Sequence, residues 1–518
     1  MTSETTQIES GKVVGIVDAG SNSLRLLIAQ VYPDGRTEVL EQARQPVRLG
    51  HDTFVSGRLG QQTMRSALTV LRDYKRILNT YKVDLVRAVA TSAVREAVNR
   101  DAFLDRVARA VGFDLEIIEP IEQSRLIVSA VRESVGGLLG SKKHTTMITE
   151  VGGGSTLVTV LQGGEITASQ SHNVGSIRMQ EMLATAGEPP VRAAQLLRQF
   201  IANMIKTASK SLHLRSVKTF LAIGGDARFA ADQVGTPAGA PLQAVGRKEL
   251  RALIDKCIPL RPEELARTYS LGFADAETLV PALLVYQGLL QATSADKMLV
   301  ARVTMRDGLL LDLPRYISGE EDPGLHDSIV LSARTIGEKY EYDEQHAEHV
   351  TQLALRLFDE LQPEHGLKPR HRLLLEVAAM LHEIGKFVSN RSHHKHSYYL
   401  ISNAEIVGLR RRDIAIVSHV ARYHRRSVPK STHPEYMSLP REDRMVIDKL
   451  AAILRAADAL DKGNWKFVQH FQLERQDQDL VMHVRGGVDL TLERRALALK
   501  SDLFTDIFGL KVRLEEQP

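Results

Sequence analysis

Apolar and polar positions follow one another twice in the same order within the first 170 residues. Val13 to Asp18 is apolar enough for a strand. The chain then breaks at Ala-Gly-Ser-Asn-Ser, runs out through Leu24 to Val31, turns at Pro33-Asp34-Gly35 and returns through Thr37 to Leu40. About 132 residues later the pattern recurs, with Met147 to Val151, a Gly-Gly-Gly-Ser break, Thr156 to Leu161, a turn at Gln162-Gly163-Gly164 and a return from Ile166. Laid on one another, Asp18 falls on Glu150, Gly20 on Gly152 and Ser23 on Ser155. The duplication predicts two related lobes, each opening with strand, tight turn and strand, that face each other across a ligand-binding cleft.

Further along, Val89 to Asn99 reads as a strand end passing into a helix, and Leu115 to Pro120 as a strand followed by a helix beginning near Glu122. Phe220 to Ile223 is a strand ending in a third glycine turn, Gly224-Gly225. This alternation predicts an α/β fold. After a linker at 318–323 the chain turns mostly helical and holds 14 of its 18 histidines, and from about Phe467 it alternates as a small α/β appendage would. The expected division is 1–137 and 138–320 for the two lobes, 321–466 for the helical part and 467–518 for the appendage.

With 518 residues, the chain is too long for one core of ordinary size. A net charge of +4 is small for that length, so affinity for a polyanion has to come from local clusters. Two exist: Arg410, Arg411 and Arg412, then Arg422, His424, Arg425, Arg426 and Lys430. The same residues also read as solvated helix faces. Cys257 is the single cysteine, which excludes an intrachain disulfide and suits a reducing compartment. The polar start reads as a short disordered lead without a signal core, and no stretch approaches the ~18–20 apolar residues of a membrane span. A cytoplasmic protein with no membrane partner and no specific nucleic-acid partner is expected, with a homodimer left open.

Both hairpin breaks combine glycine, whose bare backbone lets N–H groups approach phosphate oxygens, with hydroxyls that donate further hydrogen bonds. Three segments, IVDAGSNSLRL, ATSAVREAVN and EVGGGST, taken together and in this order, resemble the exopolyphosphatase and guanosine pentaphosphate phosphohydrolase (Ppx/GppA) family. The resemblance implies two actin-like (ASKHA, ribonuclease H-like) lobes. It also implies phosphate binding by Gly20, Ser21, Asn22, Ser23, Arg95, Gly153, Gly154, Ser155 and Thr156. The implied activity is release of terminal phosphate from polyphosphate or of the 5′ γ-phosphate from guanosine pentaphosphate, assisted by Mg²⁺ or another divalent cation. Asp18 and Glu150 are the expected metal or water partners, and Asp18, Glu122, Gln123 and Glu150 the expected catalytic set.

Three positions depart from the family pattern. Gln123 stands where the second Glu of an acidic pair is usual, Glu150 replaces the Asp before the GGGST segment, and Leu157 replaces the Glu after it. Glutamine orients water but cannot accept its proton, so a non-catalytic sensor of polyphosphate or guanosine alarmones is the alternative reading. In the C-terminal part, His346, the pair His382-Glu383 and Asp458 resemble the metal set of the HD phosphohydrolase superfamily, with Glu383 replacing the usual Asp. His393, His394, His396, His419 and His424 either supplement such a site or form a basic surface.

Overall fold

The computed structural model describes residues 11–32, 36–139, 145–318, 323–425, 427–463, 466–468, 470–485 and 489–517. The expected disordered lead, the Pro33-Asp34-Gly35 turn, most of the linker and Arg426 lie outside the described residues. The chain divides into two compact units, residues 1–321 and 322–518.

In the first unit the duplicated pattern becomes duplicated topology. Strands β1 (Lys12–Ala19), β2 (Ser23–Val31) and β3 (Thr37–Pro46) form an antiparallel meander. β4 (Leu85–Ala90) and β5 (Leu115–Ile117) then extend it in parallel from β1, giving the order β3-β2-β1-β4-β5. The second lobe repeats this with the meander β6 (Thr145–Val151), β7 (Thr156–Gln162) and β8 (Glu165–His172), extended in parallel by β9 (Val217–Ile223). After β10 (Thr236–Pro237) and β11 (Gln243–Gly246), β12 (Lys297–Val300) pairs parallel to β9, so the sheet reads β10-β11-β12-β9-β6-β7-β8. The central strands are buried along nearly their whole length, as sheets covered by helices on both faces require.

Each lobe has its own apolar core. Leu24, Leu26, Ile28, Tyr74 and Phe103 anchor one, and Met147, Phe220, Leu283 and Tyr286 the other. The helix Pro120–Leu139 runs through the point at which the sequence divides the lobes.

The second unit is mostly helical. The helices Glu344–Glu360, Pro369–Leu381, Arg411–Arg422 and Arg441–Leu460 pack around one core, which also takes in Phe471, Met482 and Phe504 from the C-terminal segment. That segment forms the three-stranded sheet β13 (Phe471–Gln476), β14 (Asp479–Arg485) and β15 (Lys511–Gln517), with helices Thr491–Lys500 and Asp502–Phe508 inserted before the last strand. The basic clusters of this region are partly neutralised or buried. Arg412 makes a bidentate pair with Asp443 at 2.6–2.9 Å, and His424 is buried. Among the described residues no helix is long and apolar enough to cross a membrane.

Candidate active site

The two hairpin turns are closed by the same hydrogen bond, from Gly20 N–H to the Ser23 carbonyl at 3.1 Å and from Gly152 N–H to the Ser155 carbonyl at 2.9 Å. A Cβ on either glycine would lie 3.2 Å from that carbonyl oxygen, the same tight approach in both hairpins. Between the turns lies a cavity of about 600 Å³. Its lining includes Asp18, Gly20, Ser21, Asn22 and Ser23 from the first hairpin and Glu150, Gly152, Gly153 and Ser155 from the second. The backbone N–H groups of Ser21, Asn22 and Gly153 have no protein acceptor among the described residues, so they are available to a ligand's oxygens.

Acids enter from both lobes. Asp18 stands one residue before the end of β1, is buried, and faces its cross-strand neighbour Arg25 at 3.4 Å. Glu150 holds the equivalent place near the end of β6, where its cross-strand neighbour is the buried Leu157. Gln123, in the first turn of the helix Pro120–Leu139, donates from Nε2 to Glu150 Oε2 at 2.7 Å. Burial pushes the Glu150 carboxyl above the usual range, and the nearby Asp18 charge adds to this, while the hydrogen bond from Gln123 opposes it.

The cavity also contains charges that sequence reading passed over. Arg25, Arg44, Arg228 and Arg306 line it, and so does Asp226. One nitrogen of Arg228, Nη1, is buried without a hydrogen-bond partner. Arg306 makes no ion pair among the described residues, and burial holds its guanidinium below the usual range. Asp226 follows Gly225 at the start of the helix Gly225–Val234, and burial together with the neighbouring Asp275 pushes its carboxyl up to about 7. Arg44 forms a bidentate pair with Asp275 at 2.5–2.9 Å and donates to Ser23 Oγ, tying the first lobe's β3 to the second lobe's helix Phe273–Ala292. Arg178 makes a similar link, with both oxygens of Glu96 at 2.7 Å. The signal for Arg228 and Asp226 is the third glycine turn, Ile-Gly-Gly-Asp-Ala-Arg, whose side chains point into the cavity only because β9 lies beside β6.

Four expected site residues stand elsewhere. Arg95 is buried in the first lobe and donates to the Ile118 carbonyl at 2.6 Å, outside the cavity lining. Glu122 is engaged by Arg125 through two hydrogen bonds at 2.8 and 2.9 Å, and it too is outside the lining. A Cβ at Gly154 would lie 2.4 Å from Phe54 Cζ and Ser92 Oγ, so this glycine permits close packing of the second hairpin on the first lobe. Thr156 is fully buried, and its hydroxyl donates to the Val174 carbonyl.

The family model of the Ppx/GppA phosphatases matches residues 27–316, and that of Ppx/GppA phosphatase domain III matches residues 330–503. The chain belongs to the Ppx/GppA phosphatase family. It is 24% identical over 516 residues to a guanosine-5′-triphosphate,3′-diphosphate pyrophosphatase of Vibrio atlanticus, covering 97% of this chain and 98% of that one. It is 31% identical over 220 residues to exopolyphosphatase 2 of Mycobacterium tuberculosis, covering 41% of this chain and 67% of the relative. An exopolyphosphatase structure from Cytophaga hutchinsonii aligns with a TM-score of 0.53 at 20% identity, over 60% of this chain and 99% of that chain, and shares its actin-like fold.

In this Ppx/GppA chain the three departures from the family pattern meet at one point. Gln123 is bonded to Glu150, and Leu157 lies opposite Glu150 in the sheet. The domain III region brings His346, His382, Glu383 and Asp458 together. His346 Nε2 lies 3.7 Å from both Glu383 Oε2 and Asp458 Oδ1, and His382 Nε2 lies 3.8 Å from Asp458 Oδ1. His382, Glu383 and His424 form a second group of converging ligand atoms. His393 Nε2 lies 3.2 Å from His424 Nε2 and 3.8 Å from Glu383 Oε1, but His393, like His394, His396 and His419, belongs to neither group.

Proposed function

We propose that this Ppx/GppA phosphatase removes the terminal phosphoryl group of a phosphoanhydride chain, in polyphosphate or guanosine pentaphosphate, by attack of water in the interlobe cavity. The observation carrying this reading is one carboxylate, Glu150, fixed by Gln123 in a cavity lined by four arginines. The names of the relatives point the same way.

Gln123 occupies Oε2 of Glu150, which leaves Oε1 to accept a hydrogen bond from the attacking water. A carboxyl raised by burial is a stronger base than an exposed one. As the water oxygen bonds to the terminal phosphorus, the bond to the bridging oxygen breaks, the water's proton passes to Glu150, and the electron pair leaves on the shortened chain. Arg25, Arg228 and Arg306 neutralise the phosphate oxygens, and the free N–H groups of the hairpins orient them. Phe229, Leu271 and Leu279 add an apolar wall that a guanosine ring could use and a bare polyphosphate would not.

The donor set suits Mg²⁺. In this unit no group of three or more converging ligands exists among the described residues, but Asp18 and Glu150 are close enough that the first opposes ionisation of the second. Mg²⁺ commonly binds through one or two carboxylates and completes its shell with water and substrate phosphates. When bound there, the cation supplies further neutralisation of the transferring group.

Gln123 itself favours a second reading, a phosphate-chain sensor without turnover, since it supplies no base. Phosphate release from polyphosphate and from guanosine pentaphosphate, each with and without Mg²⁺, decides between them. Release that disappears in Glu150→Gln supports hydrolysis. Tight binding of both ligands by folded protein with no release would sink hydrolysis in favour of the sensor.

A further inference from the structure

Outside the cavity lining, four charged side chains of the first unit form a network that the phosphate chemistry does not use. Asp312 accepts from Arg87 Nη1 at 2.8 Å on Oδ2 and meets Arg125 Nη2 at 3.0 Å on Oδ1, while Arg125 also holds Glu122 through two hydrogen bonds. Arg87 is buried, and the other three side chains are largely so. Burial opposes the Arg125 charge, yet Glu122 and Asp312 outweigh it and raise its pKa. Burial likewise opposes the Asp312 charge, and Arg125 and Arg87 outweigh it and lower its pKa. Both groups therefore stay charged.

The network joins the elements that carry the cavity's working groups. Arg125 and Glu122 stand on the helix Pro120–Leu139, whose first turn carries Gln123. Asp312 stands on the helix Met305–Ser318, whose first turn carries Arg306 into the cavity. Arg87 stands on β4, opposite Ile16 of the strand that bears Asp18. Gly308 and Asp312, one turn apart, face Leu126 and Arg125. A Cβ on Gly308 would lie 2.1 Å from the Leu126 carbonyl oxygen, so the two helices touch through their backbones at this point. Asp312 thus locks one helix against the other, and Arg87 ties the pair to the first lobe's sheet.

We propose that Asp312 is a positioning residue for phosphate release. By gripping Arg87 and Arg125 at once, it sets Gln123 against Glu150 and Arg306 in the cavity without touching the substrate. The role rests on the reading of Glu150 as the base.

The test is Asp312→Asn in the full-length chain, which keeps the shape and leaves two guanidiniums with Glu122 alone between them. Misplacement of the helices should lower kcat for phosphate release about 10- to 100-fold. The hydrogen bond from Gln123 opposes the rise of the Glu150 carboxyl, so its loss should also move the acid limb of the pH–rate profile up by about one unit. Gln123→Ala should show the same shift, and adding Asp312→Asn to it should move the limb no further. Should Asp312→Asn fail to fold, Arg87→Met/Asp312→Leu removes one charge of each sign, a replacement that buried pairs tolerate, and should show the same two effects. A folded variant with native kcat and an unmoved limb, or a shift that persists undiminished in the Gln123→Ala background, would overturn the role. Turnover that survives Glu150→Gln would instead remove the base itself, and the positioning role with it.

Discussion

Gln123 donates to Glu150 across 2.7 Å, so the residue standing in place of a family acid holds the carboxylate that remains. A glutamate at position 123 would put two carboxylates at that distance, and the pair would share a proton. The amide instead fixes one oxygen of a single acid and leaves the other free. Leu157, opposite Glu150 in the β6–β7 pairing and also lining the cavity, places an apolar side chain beside the same carboxylate.

Gln123→Glu should shift the acid limb of the pH–rate profile for phosphate release upward by about 1–3 pH units, because the second carboxylate opposes ionisation of the first. Profiles of kcat/KM for both proteins check this. An unmoved limb would mean that Glu150 is not the titrating base.

Two cavity acids should lower stability as they ionise. Glu150 and Asp226 both have raised carboxyl pKa values when folded, Asp226 at about 7 against an ordinary 3.8. A raised acid contributes stability below its unfolded pKa and loses it as pH rises through the folded one. Glu150→Gln and Asp226→Asn should therefore melt higher than the native chain at about pH 8, with the difference vanishing near pH 3–4. Thermal melts across that range decide the point. Glu150→Gln should abolish turnover while doing so.

Arg228 and Arg95 should separate cleanly. Loss of a charge-assisted contact costs about 1.5–3 kcal/mol, so Arg228→Ala should raise KM for polyphosphate or guanosine pentaphosphate roughly 10- to 100-fold with little change in melting temperature. Arg95→Met removes a buried donor to the Ile118 carbonyl and should lower the melting temperature while KM stays near native. Steady-state kinetics with paired melts check both variants.

The duplicated hairpins, the α/β character of the first 300 residues and the helical second unit were legible in the sequence because period, turn chemistry and repeat length are local properties. Asp18, Gly20, Ser21, Asn22, Ser23, Gln123, Glu150, Gly153 and Ser155 reach the cavity for the same reason, since most of them sit on the turns that the pattern marks. What local pattern could not decide was the direction of side chains on neighbouring elements. Arg95 turns inward to a carbonyl and Glu122 to Arg125, while Arg228, Arg306 and Asp226 enter the cavity from segments remote in sequence. Likewise, the histidines of the second unit were visible as a composition bias, but only packing of the helices brought His393 Nε2 to within 3.2 Å of His424 Nε2. Turn geometry is written in a few adjacent residues, whereas the partner of a charge depends on which strands and helices meet. Only the tertiary structure settles that meeting.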